Sequence, residues 1–269
     1  IDAAACKVQQ ENLGNHVKQC DITTKLVADD SAHVMAFTYP CTKYSTAGDI
    51  HGVRTGDELF LHAFRHMAIA RPDIFIVENV MGMRKFPVVM EAMTSLPDYF
   101  VKAFCPLQAA DVLPQQRKRI ILIGSRNQFN WQPPAVSSRK SLADIIETNP
   151  RVTLPKAIRQ RMKGKYRDLP IISDPVKGDI APTCVAHYAK DKSTRLLADS
   201  RFPMGVRPYS VREYARLQGI PESFSFDSVN DTDAYKIIGN GVPTVWGEWL
   251  GREIQRYYTA NQRTQLKAA

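Results

Sequence analysis

The chain has 269 residues, 44% of them hydrophobic; no run of eighteen apolar residues occurs, and no signal-peptide pattern opens it. A formal net charge of +9, from 36 Lys and Arg against 27 Asp and Glu, favours a polyanionic partner, nucleic acid first. The five cysteines (Cys6, Cys20, Cys41, Cys105, Cys184) form no Cys-x-x-Cys pair and no metal spacing with histidine, which argues against a disulfide framework and for one functional thiol in a reducing compartment.

Residues 2–13 predict a helix closed by Gly14 in the left-handed conformation. Val17–Ile22 then reads as a short strand with Asp21 at its end. Residues 34–39 form the next strand, which Pro40 stops, so that Cys41 is held at a strand tip. In an open α/β sheet such tips carry the chemistry, and an exposed thiolate near basic groups is a candidate nucleophile. A polar loop running to Gly56 leads into a helix over 58–70, whose apolar face is Leu59, Phe60, Ala63, Phe64 and Met67. Ile74–Val77 follows as a fully apolar strand ending in Glu78-Asn79. Strand, helix and strand in this order imply a parallel pair, with Cys41 and Glu78 facing one crevice.

A helix around 87–96 precedes a strand over 99–104, and residues 119–124 make another. The gap between these strands is too short for a helical crossover, so an antiparallel return is expected; it brings Arg117 and Arg119 to the edge that carries Cys41 and Glu78. From about 128 to 203 prolines are frequent and periodicity is weak, as in a separate small module. There Arg159, Arg161, Lys163 and Lys165 lie in a basic segment over 156–167 with interspersed apolar residues, a pattern suited to phosphate contact. Ser210-Val211-Arg212-Glu213 is a capping box opening a helix over 211–217 that Gly219 and Pro221 close. A short helix over 233–238 leads to Gly239-Asn240-Gly241, where backbone can approach a ligand closely. Pro243 suits the first position of a final amphipathic helix carrying Val245, Trp246, Trp249, Leu250 and Ile254.

In order and spacing these residues resemble the DNA cytosine-5 methyltransferases of bacterial or phage type. Pro40-Cys41 with Ser45 is similar to that family's nucleophile motif, Glu78-Asn79-Val80 to its Glu-Asn-Val motif, and Gln115-Gln116-Arg117-Lys118-Arg119 to its Gln-x-Arg-x-Arg motif. Arg207–Glu213 with Ala215–Gly219 resembles the helix behind the family's recognition domain, and Gly239–Val242 its last motif. The resemblance implies an α/β fold: a Rossmann-like methyltransferase sheet, mostly parallel with an antiparallel hairpin strand, plus a small target recognition domain. It divides the chain into a catalytic part over 1–128, a recognition domain over 129–205 and a return to the catalytic part over 206–269. It implies that Cys41 attacks C6 of a flipped cytosine, that Glu78 holds N3 and the exocyclic amine, that Arg119 holds O2, and that Arg117 supports the nucleophile's loop. The methyl donor it implies is S-adenosyl-L-methionine, with Asp21 and Ile22 flanking the adenine, Leu59 touching the cofactor, Asn240 and Gly241 near its methionine part, and Asp2 and Pro40 completing the set. Ser45 and Thr183 are implied to meet the DNA together with the basic residues of 159–165.

The resemblance further implies double-stranded DNA as partner, no metal, no membrane and a bacterial cytoplasm, with a restriction endonuclease or an N-terminal segment as possible companions. The family opens with a strand, a Phe-x-Gly-x-Gly turn and an acidic residue for the ribose; Ile1-Asp2 aligns just beyond these, so the expectation is a chain shortened by two strands and a helix. Thr42 replaces the family's usual glutamine and Cys20 a glycine. Two alternatives stay open: an RNA cytosine-5 methyltransferase, although the Cys-Phe-Thr of that branch is absent, and a non-catalytic DNA-binding remnant or half of a split enzyme.

Overall fold

A computed structural model describes residues 1–27, 32–40, 57–136, 140–163 and 170–268, without the side chains of 57, 58, 159, 161–163 and 263–268. Its packing divides the chain into two units, one of residues 20–108, 118–134 and 250–269, the other of residues 1–19, 109–117 and 135–249.

The first unit is built on a four-stranded sheet. Its strands are β1 (Val34–Phe37), β2 (Ile74–Val80), β3 (Phe100–Gln108) and β4 (Lys118–Ser125), in the spatial order β1-β2-β4-β3. β1 pairs with β2 in parallel, and β4 runs antiparallel to both β2 and β3, so three strands point one way and β4 opposes them. The central strands are near-continuous apolar runs, as strands covered on both faces must be. The helix α2 (Asp57–Ala70) returns the chain from β1 to β2 and packs Phe60, Ala63 and Met67 against Phe75, Val77, Ile120 and Leu122. A second helix, α3 (Pro87–Thr94), adds Val89 and Met93 to that core. Gly124 lies opposite Phe75 in the β2–β4 register, and a Cβ there would stand 2.0 Å from the Phe75 ring. Only glycine lets the ring lie flat across the strand.

Apart from the strand expected over Val17–Ile22, the expected helices and strands of this unit occur, with β1 ending at Phe37 rather than 39, β2 extended to Val80 and β3 extended to Gln108. β3 changes register between Phe104 and Leu107, around a cis Cys105–Pro106 peptide. The strand expected over Val17–Ile22 does not form. Asp21 instead turns the chain: its Oδ1 accepts from Thr23 N and Thr23 Oγ1, both at 2.8 Å, and its carbonyl accepts from Lys25 N at 2.9 Å. A local side-chain turn of this kind competes directly with an extended ladder, and here it wins.

The second unit begins with α1 (Ala3–Leu13), capped by Asp2 and closed by Gly14 at φ 108° and ψ 174°, a positive-φ conformation but not the left-handed helical one expected. The helix docks through polar bonds on residues more than two hundred positions away. Asn12 exchanges hydrogen bonds with the Ser225 backbone at 2.9 and 2.7 Å, and Lys7 donates to Ser228 O at 3.1 Å. The region expected to be irregular holds α4 (Lys156–Lys163), β5 (Ile171–Ser173), the single turn α5 (Tyr188–Asp191), β6 (Arg195–Ala198) and β7 (Val206–Arg207), with the strands in the order β5-β6-β7. Strands of two to four residues are too short to show a period in the sequence. After them come α6 (Val211–Leu217), α7 (Asp231–Asn240) and α8 (Thr244–Ala268); Pro243 precedes the first helical residue of α8 rather than occupying it.

This unit's core is rich in tyrosine. Tyr188 stacks on Tyr214 at 4.5 Å, and both meet Tyr235 edge-on. Each hydroxyl finds backbone: Tyr188 donates to Arg195 O, Tyr214 to Val185 O and Tyr235 to Tyr209 O. The predicted capping box at Ser210 and Glu213 forms, and its carboxylate does more than cap. Glu213 is fully buried and accepts from both terminal nitrogens of the equally buried Arg207, at 2.6 and 2.7 Å, from Ser210 N and from Glu147 N. Arg207 also donates through Nε to Asp199 at 2.6 Å, and Arg201 holds the same carboxylate from the solvent side.

Removing one partner of this pair leaves an uncompensated buried charge. Glu213→Ala is expected to lower the unfolding free energy by about 3–5 kcal/mol, read as a lower urea midpoint with little change in slope. Hydrogen bonds from Arg201, with Arg207 behind them, hold the Asp199 carboxyl well below the usual carboxylate range. A depressed folded value stabilises the protein above the unfolded value near ~3.9 and loses that contribution as pH falls further. Stability measured between pH 6 and pH 2 should therefore fall less steeply in Asp199→Asn than in the wild type.

Candidate active site

The sheet unit brings two of the expected residues together at the C-terminal end of β2. Val80 pairs with Arg119, so Glu78 and Arg119 are diagonal neighbours on one face. Arg119 Nε lies 3.1 Å from Glu78 Oε1, with the side chains only 13% and 11% exposed. Either charge alone would be costly at such burial, and the pairing compensates both.

The end of β1 is tied to the same place. Phe37 is in register with Val77, and Asn79 Nδ2 donates to Tyr39 O at 3.2 Å while Asn79 Oδ1 accepts from Val80 N at 2.8 Å. Tyr39 itself is buried and its hydroxyl meets Met83 Sδ at 3.3 Å, whereas Pro40 is exposed. The backbone two residues before Cys41 is thus bonded to the residue after Glu78. Cys41 and Ser45 lie outside the described residues.

Asp21 and Ile22 sit in the turn described above, which Arg65 of α2 fastens from below: its Nη2 donates to Ile22 O at 2.9 Å and to Lys25 O at 3.0 Å. The turn's hydrogen bonds hold the Asp21 carboxyl below its ordinary value, and both use Oδ1, leaving Oδ2 out of the turn. Leu59 is half-buried on α2. Nothing in the sequence pattern distinguishes Arg65 from a solvated helix residue, because its partners lie forty positions away.

The second unit gathers another group. Residues 114–117 run beside 181–184 through a parallel bridge between Gln115 and Ala181. Thr183 Oγ1 donates to Gln116 O, and Cys184 N donates to Gln115 Oε1 at 2.9 Å. Arg117, buried, donates to Cys184 O at 3.1 Å, Gly239 O at 3.4 Å and Gly241 O at 2.8 Å. Gly239 is the last but one residue of α7, and a Cβ on it would stand 2.4 Å from the backbone of Val185 and Ala186. Asn240 is exposed, and Gly241 caps α7 with φ −67°, so its freedom to take positive φ is not used. Gln218, which the motif reading left without a role, donates to Ile238 O at 2.8 Å and to Gly241 O at 3.1 Å.

Asp2 is engaged in folding: Oδ1 accepts from Ala5 N at 3.1 Å, and Oδ2 meets Lys236 Nζ at 2.6 Å. Arg159, Arg161 and Lys163 fall on α4 with side chains outside the description, and Lys165 lies outside it altogether. Among the other cysteines, Cys184 is enclosed, and burial pushes its thiol up to about 12, so it stays protonated. Among the described residues no group of three or more His, Cys, Asp or Glu could hold a metal ion, and no helix is long and apolar enough to cross a membrane.

Residues 1–256 match the model of the C-5 cytosine-specific DNA methylase family. The Type II methyltransferase M.NlaX of Neisseria lactamica is 30% identical over 264 residues, an alignment covering 90% of this chain and 82% of the relative. The Type II methyltransferase M1.ScrFI of Lactococcus lactis subsp. cremoris is 31% identical, with 91% and 68% covered. Among solved structures, the Entamoeba histolytica methyltransferase EhMeth superposes with a TM-score of 0.76 at 16% identity, covering 94% of this chain and 87% of its own. The S. pombe Dnmt2 methyltransferase gives 0.75 at 17% identity, with 93% and 87% covered, so the fold is that of the Rossmann-like methyltransferases. Matched by the family model over nearly its whole length, the chain belongs to the C-5 cytosine-specific DNA methylases and is a DNA cytosine-5 methyltransferase.

Proposed function

We propose that this enzyme transfers a methyl group from S-adenosyl-L-methionine to C5 of a cytosine flipped out of double-stranded DNA, through a covalent bond between Cys41 and C6. The observation that carries the reading is the Asn79–Tyr39 hydrogen bond, which ties the segment leading to Cys41 to the end of β2, where Glu78 and Arg119 are paired. A duplex hides C5 and C6 in the stack, so the base must leave it at a cost of roughly a few kcal/mol.

In this reading the Cys41 thiolate adds to C6, and the electron pair of the C5–C6 double bond moves toward C5, N3 and O2. Glu78 bonds N3 and the exocyclic amine, and Arg119 bonds O2, so the pair faces the ring atoms where charge develops. C5 gains the methyl group and then loses its proton to solvent; the Sγ–C6 bond breaks, the double bond returns and the thiolate is regenerated. Addition and elimination replace one difficult alkylation with easier steps.

The residues present fit the cofactor. Asp21 offers an ionised carboxylate with one oxygen uncommitted, in a turn that Arg65 holds rigid, as an adenine amine requires. Within the same unit, Ile22 and Leu59 supply apolar contact; Pro40, Asn240, Gly241 and Asp2 are assigned to the cofactor by the motif resemblance. When bound, S-adenosylmethionine supplies an electrophilic methyl group on a sulfonium centre.

Thr183, Ser45 and the basic residues Arg159, Arg161, Lys163 and Lys165 are assigned to the DNA, with residues 129–205 as the target recognition segment. We extend to this chain the description Type II methyltransferase that its relatives carry, and with it a companion restriction endonuclease.

Transfer of labelled methyl groups to mixed-sequence DNA, with transfer RNA in parallel, tests the reading. Cys41→Ala should lose transfer by at least about a thousandfold while DNA binding stays within about threefold. Methylation by the Cys41→Ala protein, or labelling of RNA alone, would overturn it. Asn79→Ala should lower kcat by about tenfold with the KM for DNA unchanged, because losing buried hydrogen bonds worth about 1–2 kcal/mol misplaces the nucleophile without touching the DNA.

A further inference from the structure

Two glutamine side chains form a relay at the centre of the second unit. Gln115 and Gln218 are both 0% exposed, and each amide uses all its polar groups. Gln115 Oε1 accepts from Cys184 N at 2.9 Å, and Gln115 Nε2 donates to Leu217 O at 2.8 Å and to Gln218 Oε1 at 3.1 Å. Gln218 Nε2 then donates to Ile238 O and Gly241 O. The direction is fixed: flipping either amide would set donor against donor or acceptor against acceptor. The bonds therefore run one way, from the amide following Thr183, through both side chains, to the carbonyl of Gly241.

Arg117 bridges the same two ends, bonding Cys184 O and Gly241 O, and Gly239 presses on the backbone of Val185 and Ala186. Three independent features thus join segment 183–186 to segment 238–241. In a buried site a single broken bond strands its partner without water, so such a network holds or releases as a whole.

We propose that Gln115 and Gln218 are positioning residues that couple DNA engagement at Thr183 to cofactor engagement at Asn240–Gly241, each ligand stiffening the other's site. The proposal rests on the roles assigned above to Thr183, Asn240 and Gly241. Coupling of this kind is reciprocal: DNA must tighten cofactor binding by the factor by which the cofactor tightens DNA binding.

The test measures the dissociation constant of S-adenosylmethionine with and without a saturating mixed-sequence duplex, in the wild type, Gln218→Glu and Gln115→Glu. A glutamate accepts at one end but, ionised, cannot donate onward. The wild type should show a ratio of about fivefold or more, and each variant a ratio near one, with the far-ultraviolet circular dichroism unchanged. Hydrogen exchange in the wild type gives an arm free of folding artefacts: DNA alone should slow the amides of 238–241, and S-adenosylmethionine alone those of 183–186. A folded variant that keeps the wild-type ratio, or exchange that responds only at the occupied site, would overturn the coupling. Failure of the wild type to bind either ligand would instead sink the functional reading; binding of both with a ratio of one would sink the coupling alone.

Discussion

The sheet unit depends on the register of one reversed strand. Because β4 runs against β2, it starts where β2 finishes, and pairing Val80 with Arg119 sets the guanidinium diagonally across from Glu78 on the same face. A slip of one residue would turn Arg119 to the other face and leave a carboxylate buried without its partner. The apolar runs of both strands suit several registers, since almost every position is covered on either face. The ion pair and the Phe75–Gly124 fit remove that ambiguity, so the residues assigned to the chemistry also select the sheet's alignment.

The two units are held by different physics. In the sheet unit aliphatic and aromatic side chains fill the space between helix and sheet. The other unit buries Arg207, Glu213, Gln115, Gln218 and a group of tyrosines, and is specified by who donates to whom. Glu213 receives four donors, which is the full capacity of a carboxylate. Such an interior discriminates sharply between one arrangement and its near misses, because each near miss strands a polar atom.

This difference explains what the sequence disclosed. Ile74–Val77 and the Ser210–Glu213 capping box were legible because each signal is local and strong, whereas β1 ends at Phe37, short of the stop expected at Pro40. Val17–Ile22 misled because the side chain of Asp21, at the end of the expected strand, turns the chain onto Thr23 instead. The short strands β5, β6 and β7 carry no period to detect, and Arg207 looks in sequence like a surface arginine until its partners 199 and 213 fold around it. The motif set located Glu78, Arg117 and Arg119, yet it left Gln218 and Arg65 without a role, since their importance lies in carbonyls far along the chain.

The chain passes between its two units after residues 19, 108, 117, 134 and 249. Neither unit is therefore a contiguous stretch, and each takes in residues from near both ends of the sequence given. During synthesis α1 cannot close on Ser225, Ser228 and Lys236 until more than two hundred further residues have left the ribosome. In the sheet unit, Trp131 likewise stacks on Tyr257, 126 positions further along the chain. The α1 contacts are therefore pairings of high sequence separation, which must meet their loop-closure entropy before they return any stabilisation and so form slowly.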